Sequence, residues 1–212
     1  MFVLPRLCTA QTTPYVGALG GFSTLSADAR TVLALDHAAT SSYKPENGPT
    51  ADVYAGLHWN NYLSVQADFI WNRNRLILDG LIASTTAAGN VFYERTFHSH
   101  QYGALANLLL FFRPRSSRVR PFLSVGTGAV RFTAEPRSAG IVSGLSPPGS
   151  FSSTKPALHV AVGIDLKLKS GWGFRYSFAE TSSSNPISHE LTPPGSRRLA
   201  NFGNLFGVVK YF

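Results

Sequence analysis

Leu158-His-Val-Ala-Val-Gly-Ile-Asp-Leu-Lys-Leu168 decides the fold. Every second residue (Leu158, Val160, Val162, Ile164, Leu166, Leu168) is large and apolar. Those between (His159, Ala161, Gly163, Asp165, Lys167) are small or polar. Successive side chains of a strand point to opposite faces, so period two marks a strand; a helix would scatter these six around its circumference. The pattern recurs along the chain. Trp172, Phe174, Tyr176 and Phe178 oppose Gly173, Arg175 and Ser177. Leu63, Val65, Ala67, Phe69 and Trp71 oppose Ser64, Gln66 and Asp68, and Val53, Ala55, Leu57 and Trp59 oppose Tyr54, Gly56 and His58. Residues 13–25, 121–131 and 199–212 alternate more weakly, and 102–112 is apolar on both faces apart from Asn107. The spacing predicts eight strands of about 9–14 residues.

Composition narrows the class. Of 212 residues only 14% are charged, against about 25% in soluble domains. With 15 Phe, 8 Tyr and 3 Trp, the chain is neither disordered nor a coiled coil. No run reaches the ~18 apolar residues of a spanning helix. The lone Cys8 excludes a disulfide framework and a cysteine-zinc cluster. Residues 1–10 read as the remnant of an export signal, with Cys8 and Ala10 as the small residues before a cleavage. Residues 11–212 then form one domain.

The connections alternate in length: 26–50 is long, Asn60-Asn61 tight, 72–99 long, 113–118 short, 133–155 long, 169–171 short and 181–198 long. Short turns at one end and long loops at the other is the plan of an up-and-down transmembrane barrel. Face polarity agrees. An eight-stranded barrel has an interior just wide enough for side chains; small and polar ones fit there, so the large apolar face belongs against lipid, with a soluble lipocalin-like barrel as the competing reading. Closure satisfies every backbone N–H and C=O, as lipid requires.

The stretches Arg120-Pro-Phe-Leu-Ser-Val-Gly-Thr-Gly-Ala-Val-Arg131, Val160–Leu168 with Trp172-Gly-Phe-Arg-Tyr176, and the final strand resemble the outer-membrane protein A-like single-domain β-barrel family. The end, Gly207-Val-Val-Lys-Tyr-Phe212, resembles the C-terminal signal of such barrels, with Gly207, Tyr211 and Phe212 matching and Lys210 departing from the usual apolar residue. The resemblance implies an eight-stranded antiparallel barrel in the bacterial outer membrane, with short periplasmic turns and four long extracellular loops. Outer-membrane lipids including lipopolysaccharide and the barrel-assembly machinery are the expected partners, of a monomer with no cofactor.

The net charge is +8. The cations form no stripe interleaved with aromatics, so nucleic acid is not the expected partner. Arg113, Arg115, Arg118 and Arg120 cluster at one turn, with Lys167, Lys169 and Lys210 at the same end. They are expected to form a basic rim against anionic headgroups. Asp52, His58, Asp68, His159, Asp165, Lys167 and Arg175 are expected inside, where unpaired charge is costly. Arg175 with Asp165 or Asp68 is the expected pair, acting as an internal staple.

Two catalytic patterns are weak. Glu94…His98-Ser99-His100 holds the parts of a hydrolase triad. Neighbours on a strand face opposite ways, however, and two histidines fall short of a zinc site. Arg175-Tyr176 resembles the start of the lipid A deacylase motif, yet Phe178 and Glu180 stand where that family has its catalytic His and Ser. The expectation is a non-enzymatic barrel serving membrane integrity or surface interaction through loops such as 138–154 and 181–196. A lipid A-modifying hydrolase and a narrow solute or ion channel are the alternatives.

Overall fold

The computed structural model describes residues 12–27, 31–32, 39–82, 91–143, 149–185 and 198–212. The proposed leader, 1–10, lies outside them, as do the tips of the four long connections. All the regular structure described is β: β1 (Thr13–Ala27), β2 (Thr31–Val32), β3 (Ala39–Pro45), β4 (Gly48–His58), β5 (Leu63–Ile82), β6 (Val91–Phe111), β7 (Val119–Ser143), β8 (Phe151–Lys167), β9 (Trp172–Ser184) and β10 (Arg198–Tyr211). The order around the sheet is β1-β4-β5-β6-β7-β8-β9-β10, every pair antiparallel, and β10 returns to β1. This is a closed, eight-stranded up-and-down barrel. β3 pairs with the outer half of β5 and β4 with its inner half, so β3 prolongs the line of β4 past a break at Glu46-Asn47. The pair β2–β3 hangs on that outer end.

Side-chain chemistry at the short turns explains their tightness. Asn60 Oδ1 accepts the N–H groups of Tyr62 at 2.7 Å and Leu63 at 2.8 Å, an Asx turn. Ser170 and Gly171 both take positive φ, 59° and 73°, the signature of a two-residue hairpin turn whose twist matches its strands.

Large apolar side chains face out: Val53, Leu57, Val65, Leu108, Val160, Val162 and Phe174 are all exposed. Aromatics bound this band, with Trp59, Tyr62, Phe112, Trp172 and Phe212 at one end and Trp71 and Tyr102 at the other. Along β5, Tyr62 to Trp71 spans about 22 Å at a 45° tilt, close to the ~25 Å apolar band of outer-membrane barrels.

The expected strand lengths need correction. β5, β6 and β7 run 20, 21 and 25 residues, so much of 72–99 and 133–155 is barrel wall rather than loop. Beyond Trp71 the outward positions meet water, and alternation in hydropathy disappears while the strand continues. Residues 138–143 and 151–154 are likewise strand; 144–148 and 186–197 lie outside the described residues.

Two glycines let aromatic rings close the wall. A Cβ on Gly17 would lie 2.3 Å from the Tyr54 ring, and one on Gly56 2.4 Å from the Tyr15 ring. The two are reciprocal, since Gly17 pairs with Tyr54 and Tyr15 with Gly56 across β1–β4. Gly17→Val is expected to destabilise the barrel by about 1–3 kcal/mol through overpacking, read as a lower urea midpoint of protein folded in vesicles.

Candidate functional site

The interior is built in layers from the inward-facing parity. Its centre is Arg175 on β9. Arg175 Nε donates to Asp165 Oδ1 at 2.6 Å and Nη2 to Oδ2 at 2.8 Å, a bidentate pair with side chains 2% and 0% exposed. Arg175 Nη1 donates to Gln66 Oε1 at 2.8 Å, which also accepts from Tyr15 OH at 3.0 Å. Tyr211 OH donates to Asp165 Oδ2 at 2.7 Å. The guanidinium carbon lies 4.6 Å from the Tyr54 ring centroid and 5.0 Å from that of Phe122. Gln66 Nε2 continues to Asp68 Oδ1 at 2.6 Å, and Asn107 Nδ2 meets Asp68 Oδ2 at 2.5 Å. Arg175 therefore pairs with Asp165 directly and reaches Asp68 through Gln66.

The other expected interior residues fall around this core. Asp52 and His159 are buried and share a cavity of about 20 Å³ with Asp68 and Arg175. Asp52 Oδ1 has no hydrogen-bond partner among the described residues. His159 Nδ1 lies 3.0 Å from Thr181 Oγ1. His58 sits at the periplasmic end, bonded through Nδ1 to Ser64 Oγ and stacked on Tyr211 at 5.8 Å. Lys167 is only half-buried there. Its Nζ donates to the Arg115 carbonyl and lies 5.6 Å from the Tyr211 ring.

Arg120 does not belong to the basic rim. It is fully buried, 3.8 Å over the Phe111 ring. Its Nη2 donates to Asn61 O at 3.0 Å and Nε to Arg113 O at 3.4 Å, joining two turns across the barrel floor. Inward parity with Phe122 and Ser124 places it there. Arg115 is half-buried against Thr13 Oγ1. Arg113, Arg118 and Lys169 are exposed. Lys210 Nζ donates to Ser170 O at 2.8 Å and lies 5.1 Å from the Trp172 ring, a cation at the girdle. Within the C-terminal signal, Gly207 and Tyr211 turn inward and Phe212 is exposed. A Cβ on Gly207 would meet Ala18 O at 2.1 Å.

Above the core, Ile70, Leu105, Val130 and Ala157 form an apolar layer. A polar layer follows, in which Asn201 Nδ2 donates to Gln101 Oε1 at 2.9 Å and Asn74 Nδ2 to Glu46 O at 3.0 Å. Phe97, Phe132 and Phe151 cap it with ring contacts of 5.9–6.0 Å. The two cavities found inside the wall measure about 10 and 20 Å³, room for about one water each.

The triad pattern separates. Ser99 is buried inside, its Oγ donating to Asn74 O at 3.1 Å. His98 is on the outer surface between Arg73 and Arg137, each 3.0 Å from one ring nitrogen. It lies two rows beyond Tyr102, outside the apolar band. Partial burial, then the charges of Arg137 and Arg73, hold its imidazole below the ordinary value. His100 stacks on Tyr102 at 6.4 Å. Among the described residues, no group of three His, Cys, Asp or Glu is placed to hold a metal. The exterior cluster around His98 escaped the sequence because it needs the register of three strands.

Breaking the central pair is expected to cost more than removing it. Arg175→Met or Asp165→Leu alone leaves one buried charge and is expected to destabilise by about 3–5 kcal/mol. The double variant is expected to recover part of that, measured as urea midpoints of all three proteins in vesicles.

Comparison with known proteins agrees with this geometry. The chain matches the outer membrane protein beta-barrel domain family over residues 8–193. Neisserial surface protein A superposes with a TM-score of 0.57 at 15% identity, covering 94% of this chain and 97% of that one. OprG of Pseudomonas aeruginosa gives 0.49 at 14% identity, over 94% and 96%. Ail of Yersinia pestis gives 0.48 at 13%, over 95% and 97%. No curated protein matches the sequence. The chain belongs to the outer membrane protein beta-barrel domain family and is a bacterial outer-membrane protein.

Proposed function

We propose that this barrel is a non-enzymatic component of the outer membrane, serving membrane integrity or surface contact with its outer half rather than transport through its lumen. The observation that carries the reading is the filled interior among the described residues, with Arg175–Asp165 at its centre and two interior cavities with room for about one water each. Arg175 acts in this reading as an internal staple. The separation of Ser99 from His98 by the barrel wall supports the absence of hydrolase chemistry at the one triad-like pattern. The wall projecting beyond the aromatic girdle supports a role at the surface, where lipopolysaccharide and external partners meet it.

Two measurements test this. Purified protein in planar bilayers is expected to show no discrete conductance steps; steps abolished or altered by Arg175→Ala would instead support a channel. Lipid A from cells expressing wild type, Ser99→Ala or His98→Ala is expected to give one mass profile. A mass shift present only with wild type would overturn the non-enzymatic reading.

A further inference from the structure

Three strands bring cationic side chains together just outside the girdle. Arg73 of β5 and Arg137 of β7 lean on His98 of β6 from either side, with Arg73 Nη2 3.0 Å from Nδ1 and Arg137 Nη1 3.0 Å from Nε2. A guanidinium offers only donors, and an imidazole has at most one acceptor nitrogen. At least one of the two contacts therefore sets N–H against N–H. Neither guanidinium has a carboxylate within ion-pair distance among the described residues. Of the nearby carboxylates, Glu46 lies 3.6 Å from Arg75. Glu135 is the exposed register partner of His98 and makes no ion pair among the described residues.

A cleft of about 190 Å³ opens beside this cluster, at the break between β3 and β4, with Asn47, Pro49, Arg73, Arg75 and His98 in its walls and Arg137 outside it, at the opposite ring nitrogen of His98. It is smaller than the ~300–1,000 Å³ of pockets for drug-sized ligands, so it suits one anionic group. Converging guanidiniums recognise a tetrahedral oxyanion by paired N–H donation. Arg73 stands two residues beyond Trp71, about 5 Å outside the girdle, at headgroup level.

We infer that Arg73, Arg137 and His98 form a site for the phosphate group of an outer-leaflet glycolipid, with Arg75 and Asn47 at its edge. The inference rests on the proposed surface role and names the chemistry that role engages. A bound phosphate accepts from both guanidiniums and from the imidazole N–H, which removes the donor–donor conflict. The apolar band directly below receives the acyl chains of the same lipid.

The test uses full-length protein folded in detergent micelles, titrated separately with diphosphoryl lipid A, fully dephosphorylated lipid A and inorganic phosphate, with bound ligand counted by native mass spectrometry. Wild type is expected to retain diphosphoryl lipid A. Arg73→Gln with Arg137→Gln is expected to weaken retention about tenfold or more. Arg198→Gln, whose guanidinium is paired with Glu180 at 2.5 Å on the β9–β10 side, is expected to leave it unchanged. Equal retention by wild type and the double variant overturns the site. So does equal retention of the dephosphorylated lipid. Inorganic phosphate bound as tightly as the lipid, and lost in the double variant, overturns the lipid assignment in favour of a free-phosphate site. Circular dichroism checks each variant for the strand signal; if the double variant loses it, Arg73→Lys with Arg137→Lys replaces it and is expected to weaken retention by less. Bilayer silence and an unchanged lipid A profile are read independently, so the site can fail while the proposed role stands.

Discussion

One guanidinium organises the barrel. Arg175 of β9 binds Asp165 of β8 and Gln66 of β5, and it lies against rings of Tyr15, Tyr54 and Phe122 on β1, β4 and β7. Tyr211 of β10 holds the same Asp165, and Asn107 of β6 closes on Asp68 beside Gln66. All eight walls of the barrel meet in this network. Two ions taken out of water carry a penalty of several kcal/mol each. Two hydrogen bonds between them, the bonds to Gln66 and Tyr211, and the surrounding aromatic faces offset that penalty. The pair is thus weak evidence for stability and better evidence for a defined arrangement of strands.

The rest follows from the solvent on each side of the wall. Lipid gives no partner to a free backbone N–H or C=O, so the sheet must close, as β10 does on β1. An eight-stranded closure leaves a narrow lumen. Glycines such as Gly17 and Gly56 make room there for tyrosine rings. Polar groups that could not face lipid find one another inside, and Arg120 and His58 close the floor as Phe97 and Phe132 close the roof. The result is a rod with a wet surface beyond the girdle and little space within.

Much of this is written in period two. Parity alone puts Asp165, Arg175, Gln66 and Tyr54 on the inward face, and the short turns declare the up-and-down order. Arg120 was legible in the same way, since it shares the parity of Phe122 and Ser124; grouping it with its turn neighbours obscured that. The outer wall was legible only in part, through the apolar Leu76, Ile77, Leu78, Leu81 and Ile82, which extend the hairpin above the membrane. From Asn72 to Arg75 both faces of β5 are polar, with Arg73 and Arg75 outward and Asn72 and Asn74 inward, and Leu76-Ile77-Leu78 is then apolar at successive positions, so hydropathy carries no period although hydrogen bonding continues. A register shift between Thr96 and Phe97 breaks the parity of β6 against β7 as well. The cluster on His98 depends on three strands in register, and spacing along one strand cannot reveal it.

The central claim is a closed, lipid-embedded barrel. Gel mobility of protein extracted from the outer-membrane fraction, boiled against unboiled, tests it most directly. The account predicts two bands that interconvert on heating, because a closed sheet with all its backbone bonds internal resists detergent until it is melted. A single unshifted band, with the protein in the soluble fraction, would contradict it.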